Sequence, residues 1–215
     1  MKIEFVAADA VAGKSVALAV VAFEKIALSG AAAALDKACG GAVTRAIAGG
    51  RFTGAAGQSL DLVAPHGVEA ARAVIVGGGP ADKFDGDAVE TAAAHAFQAV
   101  KASGAEVLLI RLPGLPAGLA ARAALGARLA AYRFDRYRTR EKPEKKPSVA
   151  RVQIAVDDPR AAAKAFKSLA GLADAVAFAR DLVTEPANIL YPEEYAKRVK
   201  GLAKLGLEIE VLGVK

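Results

Sequence analysis

A chain of 215 residues can hold one domain of ordinary size and part of a second, and a hydrophobic fraction of 54% with a mean hydropathy of +0.30 supplies a sizeable core. No apolar run approaches the ~20 residues that cross a bilayer, so no membrane partner is expected. Cys39 is the single cysteine, which excludes an internal disulfide, fits a reducing cytoplasm and, with only His66 and His95 beside it, excludes a Cys/His zinc site.

The chain opens with polar–apolar alternation over Lys2 to Val6, as in a half-buried strand. Ser15 to Phe23 is apolar and β-branched enough for a central strand; Glu4 and Asp9 ahead of it spoil a basic leader. Leu35 to Ile47 reads as one helix, ended by Gly49-Gly50. Leu60 to Ala64 and Arg72 to Val76 read as two short strands, with Pro65-His66-Gly67 turning between them. After Gly77-Gly78-Gly79-Pro80, a helix is expected from about Asp87 to Ala102, a doubly covered strand over Val107 to Ile110, and an Ala/Leu helix from about Ala117 to Ala131. This order predicts the α/β class: a three-layer, mixed, mostly parallel sheet flanked by helices.

Thr139 to Ser148 is charged, carries Pro143 and Pro147, and reads as an exposed loop. Arg151 to Val156 resumes the strand pattern, with Val152, Ile154 and Val156 on one face. Asp158-Pro159 then opens a long helix, Asp158 as the N-cap and Pro159 where a missing N–H is harmless. Its apolar stripe runs through Phe166, Leu169, Ala173, Val176 and Val183 until Pro186 disfavours helix at Glu185. Pro192 starts a further helix, and Leu207, Ile209 and Val211 alternate with Glu208 and Glu210 as a strand would. The expected division is therefore an α/β domain over 1–156, a linker helix and connection over 157–190, and the first helix and strand of a second α/β domain over 191–215. Tyr195, Val199, Leu202 and Leu205 of that last segment would need a second domain to cover them, and self-association through them is expected.

Three features invite chemistry. The Gly77–Gly79 loop follows a strand, as phosphate loops do, but Pro80 removes an amide and no Gly-Lys-Ser/Thr follows; a sharp strand exit is the plainer use. Asp82, Asp85 and Asp87 alternate as calcium ligands can, yet Glu90 comes too early for an EF-hand loop, and helix-start acids account for them as well. Between Arg133 and Arg151 lie eight Lys/Arg and three Asp/Glu, a local balance of +5 within the overall +6. The aromatics of Tyr132-Arg133-Phe134-Asp135-Arg136-Tyr137-Arg138 could stack on single-stranded nucleic acid, but packing against the core is the expected use of Phe134 and Tyr137.

Two segments carry a family resemblance. Tyr132 to Thr139 resembles the Tyr-x-Phe-Asp-x-Tyr stretch that precedes the basic loop of leucyl (cytosol) aminopeptidases. Ala179 to Tyr195, which contains Thr184-Glu185-Pro186-Ala187-Asn188 and Pro192-Glu193, resembles their interdomain motif, Asn-Glu-Pro-Ala-Asn followed by Thr-Pro-Glu. Val76-Gly77 and Lys83-Phe84 also fit. Thr184 stands where asparagine is usual, and Tyr191 stands where a threonine would cap the next helix. The resemblance implies a macro-domain-like N-terminal domain, its linker, and a two-domain peptidase that releases N-terminal amino acids using two divalent ions, manganese or zinc. It also implies a hexamer in the full-length protein, and DNA binding in some bacterial members. The family's ligand motif, Asn-Thr-Asp-Ala-Glu-Gly-Arg, does not occur in these residues. No catalytic, cofactor or metal residue is carried over, and the chain alone is expected to be non-catalytic, with the peptidase C-terminal domain as its missing partner. A stand-alone module binding ADP-ribose, or nucleic acid through 133–151, is the alternative.

Overall fold

The computed structural model describes residues 1–213, so the last two positions of the expected 191–215 segment lie outside it. The chain divides after Ala173 into two compact units. The first is built on a six-stranded sheet in the order β1-β6-β5-β2-β4-β3, formed by β1 (Lys2–Ala7), β2 (Val16–Ala22), β3 (Ser59–Val63), β4 (Arg72–Gly77), β5 (Val107–Arg111) and β6 (Arg151–Val156). The pairs β1–β6, β6–β5, β5–β2 and β2–β4 are parallel, and β3 closes one edge antiparallel to β4. The helices are α1 (Gly30–Ala38), α2 (Ala42–Gly49), α3 (Gly86–Val100), α4 (Ala117–Ala130) and α5 (Pro159–Thr184), with α6 (Pro192–Lys200) in the second unit. The architecture is the expected mixed, mostly parallel α/β sandwich.

Strand alternation sorts the core into two layers. Ala17, Ala19, Val74, Val76, Leu108, Ile110, Val152, Ile154 and Val156 share one cluster with α3, α4 and the amino-terminal half of α5. Leu18, Val20, Ala22, Ala73, Ile75, Leu109 and Ala155 share the other with α1 and α2. Both faces of the central strands are therefore dry, which is why they read as unbroken Val/Ile/Leu/Ala runs. Each fully buried Ile or Leu here, such as Ile75, Leu108 or Ile154, is stabilised by about 1.5–3 kcal/mol. The helices that cover them are rich in alanine and so approach closely. A Cβ on Gly126 of α4 would stand 2.1 Å from the Glu90 carbonyl oxygen of α3, so only glycine fits that crossing.

The single helix expected from Leu35 to Ile47 is two helices. Gly40 and Gly41 take φ of +59° and +79° between α1 and α2, and the chain turns a corner there. Gly41 has no side chain to cap α2. Asp36 of α1 does it instead, accepting from the Thr44 amide at 2.9 Å and the Thr44 hydroxyl at 2.6 Å. Burial alone would raise this carboxyl; the Thr44 hydroxyl, the Thr44 and Val43 amides and nearby Arg45 outweigh burial and hold it below its ordinary value.

Asp158 caps α5 as expected, accepting from the Ala161 amide at 2.9 Å. Tyr191 gives α6 no side-chain cap. Residues 207–213 form no strand, in contrast to their alternation: a strand requires a neighbour, and none of the described residues pairs with them.

Gly126→Ala should lower stability by about 1–3 kcal/mol through overpacking, whereas Gly118→Ala, where a Cβ meets nothing within 4 Å, should be neutral or stabilising; urea midpoints compare them. Asp36→Ala should cost about 1 kcal/mol near neutral pH. Because the folded pKa of Asp36 is depressed, that difference should be full above the unfolded carboxylate value and vanish as pH falls through the folded one. A gap unchanged on acidification to below about pH 3 would contradict it.

Candidate functional site

The carboxyl ends of parallel strands are where α/β sheets place ligands, and the Gly77–Gly79 loop leaves β4 there. Its amides are already committed: Gly77 donates to the Gln58 carbonyl at 2.9 Å, Gly78 to that of Ala22 at 2.8 Å, and Gly79 to that of Gly54 at 2.9 Å. A Cβ on Gly77 would lie 1.9 Å from the Ala55 carbonyl oxygen, and one on Gly78 would meet Phe23 and Val21 at 2.7 Å. The glycines let residues 54–58 and the end of β2 close onto β4, and no donor is left to cradle a phosphate. At the end of β5, Arg111 donates to the Ala10 carbonyl at 2.6 Å.

Of the three aspartates, Asp82 is exposed at the start of a single 3-10 turn, Ala81–Lys83, and the other two are spoken for. Asp85 is the N-cap of α3, accepting from the Asp87 and Ala88 amides. Asp87 pairs with Arg122 of α4, whose Nε also reaches Glu90 Oε1 at 2.6 Å. Burial raises the Glu90 carboxyl, with Arg122 opposing and Asp87 adding to the shift. These carboxylates tie α3 to α4, and among the described residues no group of three or more His, Cys, Asp or Glu is arranged to hold a metal ion. The residues present therefore do not fit a divalent centre. His66 is exposed in the β3–β4 turn, and half-buried His95 stands against Gly57. Cys39 is buried, and burial, with Asp36 adding, pushes its thiol above the ordinary value.

In the basic segment, Phe134 and Tyr137 stack edge-on at 5.7 Å, and the Arg136 guanidinium lies 5.8 Å over Phe134. Neither ring joins the two buried clusters, and Tyr137 is 46% exposed, so the expected packing into the core is not what these rings do. Arg133 pairs with Glu141, and its Nε lies 3.9 Å from Asp135. The side chains of Arg136, Arg138, Arg140, Lys142, Lys145 and Lys146 are exposed.

The second unit centres on the connection between α5 and α6. Glu185, 7% exposed, is the one buried acid or base among the described residues. Arg198 of α6 donates to Glu185 Oε2 at 2.7 Å through Nη1 and to Glu194 Oε1 at 3.1 Å through Nε. The chain thus leaves α5, turns at Pro186, and is fastened to α6 by one guanidinium holding two carboxylates. Arg198 escaped sequence reading because it lies outside the recognisable motif; its only signal was the four-residue step from Glu194.

Residues 19–141 match the family model described as the cytosol aminopeptidase family, N-terminal domain. The chain belongs to the cytosol aminopeptidase family. A probable cytosol aminopeptidase of Caulobacter vibrioides is 62% identical over 213 residues, covering 99% of this chain and 43% of the relative. A tomato leucine aminopeptidase mutant of solved structure has the same fold, with a TM-score of 0.78 at 22% identity over 95% of this chain and 42% of its own. The bottromycin maturation enzyme BotP, solved in complex with Mn, gives 0.63 at 27% identity, over 90% of this chain and 37% of its own. The chain thus spans less than half the length of each of these proteins. No helix among the described residues is long and apolar enough to cross a membrane.

Removing Arg198 takes away the charged hydrogen bond to the buried Glu185 carboxylate, so Arg198→Ala should loosen the connection by about 1.5–3 kcal/mol. Glu185→Gln, which leaves no buried charge, should do less. Hydrogen exchange of amides 185–198 reads both; equal protection in Arg198→Ala and the parent would contradict the clamp.

Proposed function

We propose that this chain is the amino-terminal portion of a two-domain aminopeptidase that releases N-terminal amino acids from peptides, with the reacting groups in residues beyond those described. The observation that carries this is the 62% identity to a probable cytosol aminopeptidase of which the chain covers 43%. In this reading residues 1–156 form the N-terminal domain, 157–190 the linker helix and connection, and 191–215 the opening of the peptidase domain. Two divalent ions, manganese or zinc, would be held by that domain, where such a pair activates water and stabilises the tetrahedral intermediate. The clamp at Glu185 and Arg198 would fix how the chain enters it. The full-length protein would be cytoplasmic and hexameric.

Exposed apolar side chains support a missing partner. Tyr195 is 50% exposed, Leu205 77% and Leu212 82%; each would gain roughly 1.5–3 kcal/mol on burial. The peptidase domain is their natural cover, and without it they self-associate. Nucleic-acid contact through residues 133–151 is a second reading, favoured by the exposed arginines and lysines from Arg136 to Lys146. Its signature is affinity that falls steeply with salt.

With manganese or zinc, the 215-residue chain should leave leucine p-nitroanilide at the metal-only blank, while a polypeptide extended to the length of its relatives should cleave it; turnover by the short chain overturns the proposal. Sedimentation should show the chain associating and a version ending at Asn188 monomeric. No shift of duplex DNA at low salt would end the second reading.

A further inference from the structure

A cleft of about 660 Å³ opens between the exit of β2 and the α1–α2 corner. Its walls are apolar, with Ala22 and Phe52 buried and Leu28, Ala33 and Ile47 half-buried, and Ile26 at its side is 52% exposed. That volume is within the ~300–1,000 Å³ of small-molecule sites. Its polar groups are mostly spent. Asp36 serves Thr44 and lies near Arg45, and the Thr53 amide and hydroxyl both donate to Gln58 Oε1, at 2.7 and 3.1 Å.

Two cations are not spent. Lys25 and Lys37 line the cleft, both are exposed, and neither ammonium has an ion pair or hydrogen bond among the described residues. Lys25 also has a φ of +55°, one of two non-glycine residues in the left-handed region. Such a conformation is unfavourable for a residue with a side chain and persists where the surroundings hold it, commonly at ligand sites.

We propose that this cleft is a binding site for an anionic amphiphile, a ligand with an apolar acyl or aromatic body and one carboxylate head. The body would cover Leu28, Ile47 and Phe52, and the head would meet Lys25 and Lys37. A phosphate head is disfavoured because no arginine lines the cleft to fork it. A cationic head would meet two like charges with only Asp36, already hydrogen-bonded, to offset them.

Calorimetry on the full 215-residue chain, with sodium decanoate below its micelle concentration, tests this. One saturable site is expected, with decylammonium chloride giving none. The double variant Lys25→Asn, Lys37→Gln should weaken decanoate by about tenfold, as expected when two partly solvated ammonium–carboxylate attractions are removed. Asparagine is chosen at position 25 because it tolerates positive φ. Ala33→Phe, which fills the cleft, should abolish the site, and far-UV dichroism checks that both variants fold. Amide NMR shifts should fall on residues 25–37 and 52–54. The proposal is overturned by absence of a saturable decanoate site, by equal affinity in the double-lysine variant, by decylammonium binding as well, or by shifts confined to the exposed apolar residues 195–212.

Discussion

Burial of the central parallel strands on both faces is the constraint on which this structure depends. β6, β5, β2 and β4 can stay dry only if helices cover each side, and each residue type follows from that. On one side Ala17 and Ala19 of β2 lie among larger residues, Leu108, Ile110 and Ile154, and α3, α4 and the start of α5 cover them. Those helices are themselves thin, and Gly126 removes the last atom that would hold α4 off α3. On the other side Leu18, Val20, Ile75 and Leu109 meet the shorter α1 and α2. Polar groups are placed at the margins: Arg122 bridges Asp87 and Glu90 where α3 meets α4, and Asp36 caps a helix that has no cap of its own.

The same economy of polar groups bears on function. The glycine loop after β4 spends its amides on backbone carbonyls, Asp85 caps α3, and Asp87 pairs with Arg122. Among the groups left uncommitted are the ammonium groups of Lys25 and Lys37 at an apolar cleft, and exposed apolar side chains beyond Asn188. Neither resembles reactive machinery. Membership of the cytosol aminopeptidase family, with less than half the length of the relatives covered, accounts for a well-built scaffold that supplies no metal-binding cluster of its own among the described residues.

Much of this was legible in the chain. Strands buried on both faces announce themselves as apolar runs, and Asp158-Pro159 and Pro192 mark helix starts by local chemistry that needs no tertiary knowledge. Where reading failed, the missing information was non-local or a matter of competing signals. Apolar periodicity across Leu35 to Ile47 concealed the left-handed pair Gly40–Gly41, whose two glycines had to be weighed above the stripe. Alternation at Leu207 to Val211 is a strand only when another strand lies beside it. Phe134 and Tyr137 stack on each other outside the two buried clusters, a contact between rings three residues apart that apolar patterning does not distinguish from burial. The Glu185–Arg198 clamp joins residues thirteen positions apart across a proline turn, and only the folded chain brings them together.

The central claim is that the carboxylates of Asp36, Asp85, Asp87, Glu90 and Glu185 are structural, committed to caps and ion pairs. The most direct measurement is an Mn(II) electron paramagnetic resonance titration of the 215-residue chain. The six-line signal of the free aqua ion should persist undiminished at equimolar metal and protein. Loss of that signal with one or two ions bound per chain would contradict the claim.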